Sequence, residues 1–83
     1  MYQLVIERNA QKQLAKISTG NYDKIIEALK NLIHNPRPHG YKKLKGRPGY
    51  RIRVGDYRII YAIEDNILIV YILDVDHRKD VYR

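Results

Sequence analysis

The order of apolar and polar residues along the chain predicts a strand followed by two helices. Residues 2–7 alternate β-branched and polar side chains, which is the period-two pattern of a strand. A first helix follows, with Ala10, Leu14 and Ile17 at helical spacing, and the Ser-Thr-Gly sequence at 18–20 is expected to end it. The second helix carries charges on one face, and its apolar stripe consists of Tyr22, Ile25, Ile26, Leu29, Leu32 and Ile33.

Both ends of the second helix carry their own signals. Asn21 is the expected N-cap, because its side chain can accept a hydrogen bond from the first turn of the helix. Residues 35–40, Asn-Pro-Arg-Pro-His-Gly, are expected to end it, since each proline disfavours helical geometry in the residue before it. His34 and His39 lie in this exit region and are interpreted as structural.

From residue 41 the period changes from 3.6 to 2, which predicts strands. Residues 42–45 form a short strand and 47–49 a turn. In the next strand Tyr50, Ile52 and Val54 alternate with Arg51 and Arg53, so one face is apolar and the other cationic. Gly55-Asp56 fits a two-residue hairpin turn with glycine first, and residues 57–63 form the returning strand.

The end of the chain combines an apolar run with a polar tail. Residues 64–66 make a turn, and 67–73 are unbroken apolar, which favours a central strand covered on both faces. Periodicity alone also allows a short buried helix there. Residues 74–83 become polar again.

These elements predict an α+β fold. Two N-terminal helices pack on one face of a mostly antiparallel sheet, in the order β-α-α-β-β-β with a possible further strand. Eighty-three residues suffice for one modest core and are too few for two, so a single domain spanning 1–83 is expected.

Composition narrows the environment of the protein. The chain has no cysteine, which excludes disulfides and thiolate metal sites and fits a reducing compartment. No apolar run is long enough to span a membrane, and the N-terminus lacks the basic-then-apolar order of a signal peptide. A cytoplasmic protein without membrane association is expected.

The net charge of +7 is concentrated in one segment. Residues 42–58 carry seven basic side chains against one acidic one, a net of +6: Lys42, Lys43, Lys45, Arg47, Arg51, Arg53 and Arg58 against Asp56. Such a patch attracts nucleic acid or an acidic protein partner. For the first four of these residues a merely solvated surface is an equally good interpretation.

The hairpin geometry gathers the arginines. If the turn is two residues long, Arg53 faces Arg58 and Arg51 faces residue 60, and period two puts all three arginines on the same face. Like charges opposite one another destabilise a sheet, so an anion is expected on that face. The last strand should end beside Arg58, which gives His77, Arg78 and Tyr82 a route to the same pocket. Arginine binds phosphate in a bidentate fashion, and tyrosine can stack on a base.

At this point the sequence resembles a known family, the RelE branch of the RelE/ParE toxin superfamily. The resemblance covers nearly the whole chain and is most specific in KKLKG at 42–46, YRIRVGDYRIIYAI at 50–63 and HRKDVYR at 77–83. It implies a toxin that cleaves messenger RNA in the ribosomal decoding site without a metal or cofactor. It also implies an antitoxin that holds the toxin inactive. We expect this RelB-like partner to be acidic, to wrap the helices and to cover or distort the basic face.

The resemblance also implies roles for individual residues. Basic positions of the family match Arg51, Arg53 and Arg58, and the tail arginine and near-terminal tyrosine match Arg78 and Tyr82. Flanking basic positions match Lys43 and Lys45, and with Lys42 and Arg47 these are the expected contacts to messenger or ribosomal RNA.

The positions of the acidic residues argue against a metal site. They lie in turns and the tail amid basic neighbours: Glu64, Asp65, Asp74, Asp76 and Asp80.

Two departures from the family matter. Some members have lysine where this chain has Arg51 and Arg53, and one such lysine is a proposed general base; arginine stays protonated and is a poor base. The arginines should therefore stabilise the charge that develops when a ribose 2′-OH attacks its phosphate. His77 is the best candidate for the proton acceptor by its intrinsic pKa, ahead of Tyr82. Longer members continue past Tyr82, so this residue is expected to be mobile until RNA binds.

Two other functions compete with the ribonuclease. One is a ParE-like toxin of the same fold that inhibits DNA gyrase and cuts nothing. That branch tends to lack the late tyrosine and the full arginine set, so Arg78 together with Tyr82 favours cleavage. The other is an RNA-binding or antitoxin-like module without toxicity.

Overall fold

A computed structural model describes residues 1–77 of the chain. The elements are β1 (Gln3–Ile6), α1 (Arg8–Leu14), α2 (Thr19–His34), β2 (Lys42–Lys43), β3 (Tyr50–Val54), β4 (Tyr57–Glu64) and β5 (Ile69–His77). The predicted order, two helices between the first strand and the rest of the sheet, is confirmed.

The strands form one mixed five-stranded sheet in the order β1-β5-β4-β3-β2. β5 pairs with β1 in parallel and with β4 antiparallel, and the remaining pairs are antiparallel. The predicted α+β fold with a mostly antiparallel sheet is therefore confirmed. The first and last strands are therefore neighbours in the sheet although they are far apart along the chain.

The core lies between the helices and one face of the sheet. Alternation along β3, β4 and β5 turns every second side chain toward the helices. The buried residues are Ala10 and Leu14 of α1, Ile25, Leu29 and Leu32 of α2, and Ile52, Ile59, Tyr61, Val70, Ile72 and Val75 of the sheet. Burial of each Leu, Ile or Val side chain in this core stabilises the fold by about 1.5–3 kcal/mol.

The boundary between the helices differs from the prediction. α2 begins at Thr19, and Ser18 occupies the extended N-cap position in place of Asn21. The Ser18 carbonyl accepts the first helical bond, from the Tyr22 N–H at 2.8 Å, so Gly20 lies inside the first turn. Tyr22 is 40% exposed, and Ile26 and Ile33 are half-buried, so only three residues of the predicted stripe are fully buried, the α2 core residues given above.

β5 begins and ends later than predicted. Ile67 and Leu68 lie in the β4–β5 turn, exposed, with Leu68 at φ +55°. A bulge makes Ile60 pair with Asp74 and Tyr61 with Ile72, which leaves Leu73 as the extra residue. Both Ile72 and Val75 therefore face the core, and the strand continues through the polar residues to His77.

Candidate functional site

The β3–β4 hairpin has the register that the sequence predicts. Val54 pairs with Tyr57, Arg53 with Arg58 and Arg51 with Ile60. Of the two turn residues only Gly55 has positive φ, at +59°, as a type II′ turn requires. Residues directly opposite one another share a face, so Arg51, Arg53 and Arg58 lie together on the side away from the helices. We call this the arginine face.

The flanking basic residues divide between the two sides of the sheet. Lys42 pairs with Arg51 and extends the arginine face, whereas Lys43 pairs with Tyr50 and lies on the other face. Lys45 and Arg47 are exposed in the loop between β2 and β3. The structure therefore brings one of the four predicted flanking residues onto the arginine face and leaves three beside it.

Arg58 has an enclosed guanidinium nitrogen on the arginine face. Its neighbour Ile60 is buried but lies outside the main core, and Arg58 itself is half-buried. Its Nε is enclosed and has no hydrogen-bond partner among residues 1–77, and no carboxylate of that range forms an ion pair with it. An unsatisfied buried donor costs about 1–3 kcal/mol. An anion that accepted its hydrogen bond would remove this cost.

Acidic side chains of β5 also lie beside the arginines. Asp76 pairs with Arg58, and Asp74 with Ile60. The Asp76 carboxylate accepts a hydrogen bond from Gln13 Nε2 at 2.8 Å, and Gln13 Oε1 accepts the Val75 N–H at 2.6 Å. Gln13 is not predictable from the sequence, because a glutamine on a helix carries no signal for a partner more than sixty residues away.

α1 closes the edge of β5 where β1 ends. Asn9 Nδ2 donates to the Leu73 carbonyl at 3.3 Å and to the Asp74 carboxylate at 2.6 Å, one helical turn before Gln13. These amides satisfy backbone groups that an open strand edge would expose. They also fix the two β5 carboxylates.

His77 does not join the arginine face. It pairs with Tyr57, and their rings meet edge to face with centroids 5.0 Å apart. Tyr57 packs against the core on the helix side, so alternation puts His77 on that side too. There it lines a cleft of about 310 Å³ together with Lys16 and Ile17. The predicted gathering of His77 with Arg53 and Arg58 is therefore corrected.

The tail residues Arg78 and Tyr82 lie outside the described residues. Within them, β5 ends at His77 opposite Tyr57, so the strand finishes next to the hairpin turn, as predicted. In residues 1–77 no helix is long and apolar enough to cross a membrane. Within the same range, no three His, Asp or Glu side chains lie close enough together to hold a metal ion.

A separate polar cluster joins the N-terminus to the opposite end of the sheet. Arg37 forms a bidentate pair with Asp65 at 2.9 and 3.2 Å, and the Tyr2 hydroxyl donates to the same carboxylate at 2.7 Å. The hydrogen bond from Arg37 lowers the pKa of Asp65, and the bond to Asp65 raises the pKa of Tyr2. Arg37 also lies 5.5 Å from the centre of the Tyr50 ring. We interpret this cluster as structural.

Comparison with known proteins gives the family. Residues 4–82 match the family model described as the ParE toxin of the type II toxin–antitoxin system parDE. The chain is 32% identical to toxin RelG of Mycobacterium tuberculosis, over 99% of this chain and 97% of that protein.

Solved structures agree. RelE in the archaeal RelE–RelB complex of Pyrococcus horikoshii superposes with a TM-score of 0.82 and 29% identity, over 93% of this chain and 94% of that one. The RelBE2 toxin–antitoxin complex of Mycobacterium tuberculosis gives 0.83 and 29%, over 93% and 98%. The chain therefore belongs to the RelE/ParE family of type II toxin–antitoxin toxins, and within it to the RelE type.

Proposed function

We propose that this toxin is a ribosome-dependent, metal-independent endoribonuclease that cleaves messenger RNA in the decoding site. The observation that supports this most directly is Arg58, which shares a face with Arg51 and Arg53. It is half-buried, and its Nε has no hydrogen-bond partner in the part of the chain that the structure describes. A phosphate of RNA supplies the oxygens that such a group lacks, and guanidinium groups bind phosphate in a bidentate fashion.

The proposed reaction is attack of a ribose 2′-oxygen on the adjacent phosphorus. The new P–O bond forms as the bond to the 5′-oxygen breaks, giving a 2′,3′-cyclic phosphate and a 5′-hydroxyl end. The proton of the 2′-OH goes to a base, and the leaving 5′-oxygen takes up a proton. The arginines stabilise the negative charge on the phosphorane-like transition state. Such electrostatic stabilisation is usually the largest single contribution to the rate enhancement.

Arg78 and Tyr82 complete the proposed site from the tail, with the tyrosine as a stacking platform for a base. Lys42 extends the arginine face along the RNA backbone, and Lys43, Lys45 and Arg47 provide looser electrostatic attraction. We assign no proton transfer to His77, because its pairing with Tyr57 places it on the helix side of the sheet. Action on the ribosome implies a cytoplasmic protein.

The test is to express the toxin under tight control and map messenger RNA ends during growth arrest. Cuts phased with codons are expected for the wild type and absent in Arg58→Ala, because the phosphate loses the enclosed guanidinium group of Arg58. Lys30→Ala is the matched control: it also removes one positive charge, from an exposed position on α2, and should cut like the wild type. Thermal melts should show that both variants fold.

The family model's description as a ParE toxin favours one alternative, a gyrase inhibitor. The same experiment separates the two functions. Intact messages together with an SOS response would contradict the ribonuclease proposal and support the gyrase inhibitor.

The related RelE structures are complexes with RelB, and we propose that this chain likewise binds a cognate antitoxin. An acidic antitoxin matches the net charge of +7. Binding should weaken as salt rises, since screening removes the electrostatic attraction.

A further inference from the structure

Gln13 makes two hydrogen bonds to β5 with one amide group. Its Oε1 accepts the backbone N–H of Val75 at 2.6 Å, and its Nε2 donates to the Asp76 carboxylate at 2.8 Å. The first bond satisfies a backbone N–H at the open edge of β5. The second bond fixes the direction of the Asp76 side chain, and closing the strand edge does not require it.

The direction of the Asp76 carboxylate matters because Asp76 pairs with Arg58. Side chains directly opposite one another in an antiparallel sheet have their Cβ atoms about 4.5–5.5 Å apart, within reach of an ion pair. Arg58 nevertheless has no ion pair with Asp76, and its Nε has no hydrogen-bond partner within residues 1–77. The Asp76 carboxylate is therefore turned toward Gln13 of α1 and not toward Arg58.

A carboxylate that turned toward Arg58 would compete with phosphate. It would supply the same type of oxygen acceptor, already on the protein, and would neutralise the charge that attracts RNA. Within residues 1–77, Lys16 and His77 line the cleft on the helix side of the sheet, and Asp76 and Gln13 line it with them.

We propose that Gln13 is a positioning residue that holds Asp76 away from Arg58 and so keeps Arg58 available for phosphate. The inference rests on the proposed function in one respect, that the ligand of Arg58 is an RNA phosphate. Gln13 does not touch the RNA; it acts through Asp76.

The test is a double-mutant cycle on RNA binding. The probe is a short single-stranded RNA with 2′-O-methyl groups, which block cleavage, and affinity is measured by fluorescence anisotropy at low salt. Gln13→Ala should weaken binding about five- to tenfold, the size expected for neutralising one partly exposed cation. In the Asp76→Asn background the same substitution should change affinity by less than about twofold, because no carboxylate remains to compete.

The cycle separates positioning from a purely structural role. If Gln13 only closes the strand edge, Gln13→Ala weakens binding equally in both backgrounds, and the proposal is overturned. Thermal melts of all four proteins report any loss of fold, since a lost edge bond lowers stability whichever residue stands at position 76.

A second measurement makes the test independent of RNA. The ¹⁵Nε–H signal of Arg58, observed by NMR in the free protein, should move in Gln13→Ala as the carboxylate takes up the guanidinium. It should return in Gln13→Ala/Asp76→Asn. An unmoved signal overturns the proposal, whereas a moved signal in a protein that cuts no message contradicts only the proposed function.

Discussion

The ionisation of Tyr61 should lower the stability of the fold. It is fully buried, and its hydroxyl donates to the Pro36 carbonyl at 2.8 Å. Burial raises its pKa to about 12, because the phenolate would lose its hydration. The neutral phenol therefore stabilises the folded state fully below the unfolded pKa of about 10, and this stability is lost as pH rises through the folded pKa.

We expect the free energy of unfolding to fall by about 2 kcal/mol between roughly pH 10 and 12 through this group. Urea unfolding across that range measures it. Tyr61→Phe should remove this part of the pH dependence while starting lower, since the Pro36 carbonyl loses its donor. Tyr22→Phe, at an exposed position, should keep the wild-type profile. Equal pH dependence in wild type and Tyr61→Phe would contradict the prediction.

At the scale of elements, the β3–β4 hairpin determines the arginine face. Its two-residue turn sets Arg53 opposite Arg58, and a slip of one residue would turn one strand's arginines toward the core. Gly55 has φ +59°, where a side chain is strained although nothing lies within 4 Å of the added Cβ. A substitution at Gly55 therefore lowers stability through backbone strain and not through a steric clash with neighbouring atoms.

Gly55→Ala should lower the free energy of unfolding by about 1–2 kcal/mol. Gly20→Ala is the matched change: Gly20 lies in the first turn of α2, with ordinary φ and open space around it. That substitution should raise stability by about 0.4–1 kcal/mol, because it restricts the unfolded chain. Denaturant melts measure both, and effects of the same sign would contradict this account of the turn.

At the scale of the whole molecule, the sheet concentrates part of the net charge of +7 on one face. Lys42, Arg51, Arg53 and Arg58 share the face away from the helices, so RNA meets one concentrated patch. Binding to such a patch releases counterions from the phosphates, which makes the affinity fall with salt.

Four phosphate contacts predict a slope of about −2.8 for the logarithm of RNA affinity against the logarithm of salt concentration. Arg58→Ala should reduce the magnitude of the slope by about 0.7, the loss of one contact. Lys30→Ala removes a charge from α2 and should leave it unchanged. Anisotropy titrations with the 2′-O-methyl RNA at several salt concentrations measure the slopes. If both variants reduced the slope equally, binding would depend on net charge alone.

The sequence by itself determined the order of the elements, the two-residue hairpin and the common face of its three arginines. These features follow from interactions over a few residues: side-chain alternation, proline and glycine at turns, and the fixed register of a short hairpin. The same local rules misplaced the start of α2 and the polar end of β5, because an N-cap and a bulge depend on what the neighbouring elements bury.

Only the tertiary structure decided how β5 sits between β1 and β4, and with it the surroundings of the site. The bulge beside Ile60 and Tyr61 determines that His77 faces the helices while Asp76 lies opposite Arg58. The bond from Gln13 joins residues sixty-three positions apart. Contacts of this kind arise from packing between distant segments, and no local pattern encodes which partner a polar side chain will meet.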